Sequence, residues 1–175
     1  EQWALREQNP VSRAVLNSLV ASIYANYADN NRWELRNRTS LNLGETALPA
    51  DIREWSANLF VNQVIKYTGE ALKDSTELLK TSSRTYIPFV ELGETSEYYH
   101  HDMYHLLATR GIVALQQVAG LDRATPVEDI SEDSSAEKES SVKQDIIAIY
   151  GNMIAAYKAS GLKEGYVLTA LSYLE

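Results

Sequence analysis

A chain of 175 residues is the size of one ordinary domain, and folding buries enough of its surface to hold it without covalent staples. It has no cysteine, which excludes a disulfide framework, a thiol nucleophile, a zinc finger and an iron–sulfur cluster. A formal net charge of −8 argues against nucleic acid as a partner, because such complexes rest on cationic contacts to phosphate.

The opening residues Glu1-Gln2-Trp3-Ala4-Leu5-Arg6 lack the basic-then-apolar pattern of a signal peptide and read as the tail of a helix, as in a piece excised from a longer protein. Asn9 is a good N-cap, and Pro10 sits at the first helical position, where its missing N–H costs nothing. Val15, Leu16, Leu19, Val20, Ile23, Tyr24 and Tyr27 then recur at helical spacing and predict one wide inward face, ended by Asp29-Asn30-Asn31. Residues 32–50 lack helical period and predict a loop or a short extended piece. Within it Trp33 stands among Arg32, Arg36 and Arg38, an arrangement that suits anchoring of the loop by cation–π contact better than a binding surface.

Asp51 and Glu54 have capping-box spacing and predict a helix to about residue 73, with Ile52, Trp55, Leu59, Phe60, Val64, Tyr67 and Ala71 inward. Asp74 with Glu77 repeats the signal for a short helix carrying Leu78 and Leu79. Residues 81–94 read as irregular, and Thr95 or Ser96 is expected to cap the next long helix. Its inward stripe is Tyr99, Met103, Leu106, Leu107, Arg110, Ala114 and Val118, with Gly120 just past its end. Arg110 on that stripe needs a partner and is expected in a salt bridge or in hydrogen bonds to a loop. Residues 121–141 turn acidic and serine-rich, and about 124–140 reads as a flexible linker inside a single domain spanning 1–175. A fourth long helix follows, with Val142, Ile146, Ile149, Tyr150, Met153 and Tyr157 inward and Gly161 at its end. A last helix from about Lys163 carries Val167, Ala170, Leu171 and Leu174 and closes an αα-hairpin. Period-two runs are missing throughout. The predicted fold is all-α, built from antiparallel hairpins in an irregular tetratricopeptide-like or α-solenoid-like bundle with long irregular connections. No apolar run approaches the ~18 residues a membrane span needs, so this domain is expected to make no membrane contact itself.

Little in the sequence points to catalysis. All three histidines fall in one turn, His100-His101-Asp102 to His105. On a helix, His101 and His105 share a face and could both reach one metal ion. A zinc-protease motif requires Glu after the first histidine, whereas Asp102 follows His101 and points about 100° off that face. A polar helix face is the simpler reading, so neither a metal site nor a cofactor is expected. The carboxylate pairs Glu91/Glu94 and Glu128/Asp129 fall in hydrophilic segments and suit solvated charge better than acid–base work. Phosphate-loop glycine spacing and a nucleophile elbow are both missing. No catalytic residue is predicted, and no binding residue can be singled out.

Several segments, in order, resemble one family: Asn9-Pro10 with Leu16-Asn17-Ser18-Leu19-Val20-Ala21, then Asn31-Arg32-Trp33, Arg38-Thr39, Asp51-Ile52-Arg53-Glu54-Trp55, Met103-Tyr104-His105-Leu106-Leu107-Ala108-Thr109-Arg110, and Ile149-Tyr150 to Tyr157. Together they look like the N-terminal helical region of large α2-macroglobulin-like envelope proteins of Bacteroidetes type. The segment from Met103 to Arg110 departs from that family's pattern at His105 and Thr109. The resemblance implies a tetratricopeptide-like segment preceding macroglobulin β-domains, in a secreted or membrane-anchored envelope protein. It implies as partners the other domains of the same chain, and possible contact with another envelope protein or a protease. The thioester of many members cannot be carried over without a cysteine. The alternative is a free-standing helical metal-binding protein or hydrolase using the His100–His105 turn.

Overall fold

The computed structural model describes residues 1–38, 48–86, 93, 96–121 and 133–174, with the backbone alone for 133–141. The chain is all-α. The helices are α1 (Gln2–Arg6), α2 (Pro10–Asn30), α3 (Arg32–Arg36), α4 (Ala57–Leu72), α5 (Ser75–Lys80), α6 (Met103–Val118), α7 (Asp133–Ser160) and α8 (Lys163–Leu174). Among the described residues no strand forms, and Ser82 and Asp102 share a single antiparallel bridge. No helix of the described residues is long and apolar enough to cross a membrane.

The N-terminus of α2 forms as its residues dictate: the Asn9 side chain accepts from the amides of Val11 and Ser12, with Pro10 in the first position. Its inward face differs from the predicted one. Ala14, Asn17, Ser18, Ala21, Tyr24, Ala25 and Ala28 are buried, whereas Leu19 is exposed and Ile23 is 61% exposed. The cause lies in the partners. α2 packs against both α4 and α6, and small side chains let three backbones come close together. The large aliphatic residues flank that contact.

Residues 32–36 are helical, not extended, and the loop anchor is not Trp33, which is 79% exposed. Leu35 is fully buried and fixes α3 to the core. The Arg32 guanidinium donates to the carbonyls of Gln117 and Ala119, at the end of α6 where carbonyls lack helical partners. Arg38 donates to the carbonyl of Trp55 at 3.1 Å. Arg32 and Arg38 thus reach backbone oxygens, and pair besides with the carboxylates of Asp29 and Glu34. The expected loop beyond Arg38 lies in residues 39–47, outside the described residues.

Asp51 caps only a short 3₁₀ turn, Ile52–Glu54, and α4 starts later than predicted, at Ala57. Hydrogen bonds from the Arg53 guanidinium, and then from its backbone amide, hold the Asp51 carboxyl pKa down to about 2. Extended backbone at Trp55 drops its indole into the core, where Nε1 donates to the Pro49 carbonyl at 2.8 Å. Trp55, Tyr24 and Phe60 form a tilted aromatic cluster with centroids 5.1 Å apart for Trp55–Tyr24 and for Trp55–Phe60. The predicted α4 face holds: Leu59, Phe60, Val64, Tyr67 and Ala71 are buried. In α5, Leu78 is buried and Leu79 is exposed. Asp74, predicted to cap α5, makes no side-chain cap and instead pairs with Arg13 of α2 at 2.8 Å.

The long helix predicted from Thr95 or Ser96 begins instead at Met103. The backbone before it is held extended, because Ser83 N–H donates to the His101 carbonyl and Met103 N–H to the Thr81 carbonyl. Arg110 is exposed rather than buried, and it donates to the hydroxyls of Ser18 and Ser22 on α2, not to a loop or a carboxylate. Gly120 follows α6 with φ 70°, the left-handed conformation glycine supplies at least cost.

Residues 124–132 of the expected linker lie outside the described residues, and the backbone from Asp133 is already helical. On α7, Val142, Ile149, Met153 and Tyr157 are buried, and Ile146 and Tyr150 pack against the core. Gly161, with φ 75°, turns the chain into α8, which packs against α7. The α8 face is also not the predicted one. Gly165 and Thr169 are buried, and Val167, Leu171 and Leu174 face outward.

Candidate functional site

The histidine turn is built by two elements. Backbone bonds to residues 81 and 83 fix the extended segment, and Asp102 then opens α6 as its N-cap. The Asp102 carboxylate accepts from the His105 amide at 2.8 Å and from His105 Nδ1 at 2.8 and 2.9 Å. A carboxylate only accepts, so Nδ1 carries a proton. This is a side-chain N-cap in which the capped residue, third in the helix, returns a second hydrogen bond from its ring to the capping carboxylate. Asp102 therefore faces His105, contrary to the expectation that it points away. His101 precedes the helix, so the helical spacing that would place His101 and His105 on one face does not arise.

The rest of the cluster comes from α7. The His100 ring stacks on the Tyr157 ring at 4.6 Å and 19°, and the Tyr157 and His105 centroids lie 4.5 Å apart. His100 N–H donates to the Tyr157 hydroxyl at 3.2 Å. Ser160 Oγ donates to the Tyr157 carbonyl at 3.0 Å, so at its 2.7 Å contact with His100 Nε2 the histidine is the donor. Burial, then the neighbouring His105, hold His100 below the ordinary histidine range, and burial raises the Tyr157 phenol. His105 Nε2 is buried without a hydrogen-bond partner. An Asp–His pair works as a general base only when Nε2 meets the reacting group. Here that nitrogen is walled in, so the turn serves as a helix cap and a packed aromatic joint between α6 and α7. Among the described residues no group of three or more His, Cys, Asp or Glu side chains is placed to hold a metal ion. Glu91, Glu94, Glu128 and Asp129 lie outside the described residues.

A second feature carries no sequence signal. A cavity of about 580 Å³ opens between α4 and α7, with α6 at its floor. Gly69, Ala148 and Asn152 at its mouth are exposed, and Tyr104 and Leu115 at its base are buried. The walls are Ile65, Leu72, Leu79 and Ile149. Asp145 and Thr68 also line it, and both Asp145 Oδ2 and Thr68 Oγ1 are buried without a hydrogen-bond partner. Burial pushes the Asp145 carboxyl above the ordinary carboxylate range. The residues that assemble this site lie up to 91 positions apart, from Ile65 to Ala156, so no local motif announces it.

No protein-family model, curated protein or solved structure matches this chain.

Proposed function

We propose that this chain is a non-catalytic helical interaction module, a tetratricopeptide-like stack of hairpins serving a large α2-macroglobulin-like protein of the bacterial envelope. The observation that carries the interaction role is the outer face of α8. Val167, Leu171 and Leu174, at helical spacing, are 51%, 53% and 78% exposed, with Tyr166 and Tyr173 exposed beside them. A helix that spends its small residues on the inward contact and turns its large apolar ones to water has a face suited to another protein surface. The order of motifs from Asn9-Pro10 to Tyr157 supports the family context, and with it the neighbours: macroglobulin-like β-domains of the same chain, another envelope protein or a protease.

The metal-protein or hydrolase alternative needs the His100–His105 turn to meet a ligand, and the burial of His105 Nε2 weighs against it. The reading frame around these residues tests the proposal. In-frame β-rich macroglobulin domains after residue 175 are the expected finding. A stop codon there would overturn the family context and revive the alternative.

A further inference from the structure

We infer that His100 is an acid-released latch, which fastens the segment before α6 to the end of α7 at neutral pH and frees it on taking up a proton. Among the described residues, the hydrogen bonds between that segment and α7 are both made by His100. Its amide donates to the Tyr157 hydroxyl at 3.2 Å, and its Nε2 donates to Ser160 Oγ at 2.7 Å. The same stretch of backbone covers the first turn of α8, where the Tyr98 carbonyl oxygen would lie 2.6 Å from a Cβ on Gly165. Residues 98–100 thus clip two helices at once through one titratable side chain.

The surroundings of the ring decide which way acid acts. Nε2 already carries a proton, donated to Ser160, so a second is taken at Nδ1 and makes the ring cationic. That cation is half-buried against the Tyr157 ring, with the His105 centroid 4.8 Å away. Burial opposes the charge most and His105 next; His101 adds to them, and Asp102 works the other way. The Asp102 carboxylate cannot turn to the new charge without giving up the His105 amide and ring. Of the other groups around the latch, the Tyr157 phenol is raised by burial and stays neutral in acid. Lys163 and Glu164 of α8 are exposed beside Tyr98, and Arg84, next to Ser83, is exposed. The latched form therefore holds His100 below the ordinary histidine value of ~6.5, and the freed form returns it there. Latching is at full strength above that pH and weakens as pH falls below it. This inference concerns the chain by itself and stands apart from the interaction-module reading, so either can fail without the other.

The test is an NMR titration of the whole chain from about pH 8 to about pH 5. The His100 ring carbons should inflect below ~6.5. NOEs from the His100 ring to the Tyr157 ring, and from Gly165 to Tyr98, should fade with the same midpoint, while those between Trp55 and Phe60 persist. NOEs that survive once His100 is charged, or a His100 inflection at or above ~6.5, would overturn the proposal. His100→Gln gives a second arm, because its side-chain amide can still donate to Ser160 but takes up no proton. In that variant the NOEs from Gly165 to Tyr98 should persist to the acid end. Their loss there, with the midpoint seen in the parent, would assign the change to another group and refute the latch.

Discussion

Gly165→Ala should destabilise the chain although alanine is the better helix former. Gly165 lies in the first turn of α8, where the helix closes on the histidine turn. A Cβ there would sit 2.6 Å from the Tyr98 carbonyl oxygen and 2.8 Å from Tyr157 Cδ1. Neither neighbour yields easily. The first is backbone, and the second belongs to a ring that is 1% exposed and packed between His100 and His105. Overpacking of this kind costs roughly 1–3 kcal/mol, and a clash with two constrained groups belongs at the upper end. The gain from replacing glycine by alanine in a helix is at most ~1 kcal/mol, which leaves a net loss of about 2 kcal/mol. Gly151→Ala is the matched control, because a Cβ at that exposed position in α7 meets nothing within 4 Å. It should stabilise by up to ~1 kcal/mol. With a urea m-value of ~2 kcal/mol/M, the midpoint should fall by about 1 M for Gly165→Ala and rise by up to ~0.5 M for Gly151→Ala. Equal midpoints for the two variants would refute the close approach of α8 to Tyr157.

Asp102→Ala should cost about 2–4 kcal/mol in urea denaturation, since it removes an N-cap and leaves the buried His105 Nδ1 without its acceptor, and a loss under ~0.5 kcal/mol would contradict the capping role. Ala25→Leu, on the fully buried small-residue face of α2, should cost ~1–3 kcal/mol by overpacking, while Ile23→Gln should change stability by less than ~0.5 kcal/mol; the reverse order would restore the aliphatic face as the inward one. Burial raises Asp145 in the folded chain, so its stabilising share is complete below the unfolded carboxyl pKa of ~4 and is lost as pH rises through the folded value. Asp145→Asn should therefore melt higher than the parent at pH 7, with the gap closing toward pH 4, and a gap that widens on acidification would reverse the assignment.

Large apolar residues at helical spacing made α4 and α7 legible. Their partners meet them along one seam, so Phe60, Val64, Tyr67, Met153 and Tyr157 are buried as periodicity predicts. The same reading failed on α2 and α8 for a physical reason. Hydropathy weights Leu19, Ile23, Val167 and Leu171 above alanine, serine and glycine, but a helix that must approach its neighbour closely turns its small residues inward. The start of α6 was hidden because its N-cap Asp102 is followed three residues on by His105, not by the glutamate of a capping box, and because backbone bonds from residues 81 and 83 hold the preceding turn extended. Trp33 misled because arginines beside an aromatic ring suggest cation–π contact, whereas Arg32 and Arg38 reach for backbone carbonyls. Asp145 was illegible in principle, since its surroundings come from α4 and α6 and an isolated acid on a helix looks solvated until those helices are in place.

The interaction role turns on whether the outer face of α8 is covered in the assembled protein. The chain has no cysteine, so Leu171→Cys introduces a unique thiol on that face and Lys158→Cys a control on exposed α7 surface. With this chain alone, both should react with a soluble maleimide at comparable rates. In a longer chain that carries the proposed macroglobulin-like neighbours, the account predicts that the Leu171→Cys variant is protected while the Lys158→Cys variant is not. Equal, undiminished labelling of both variants in that assembly would contradict it.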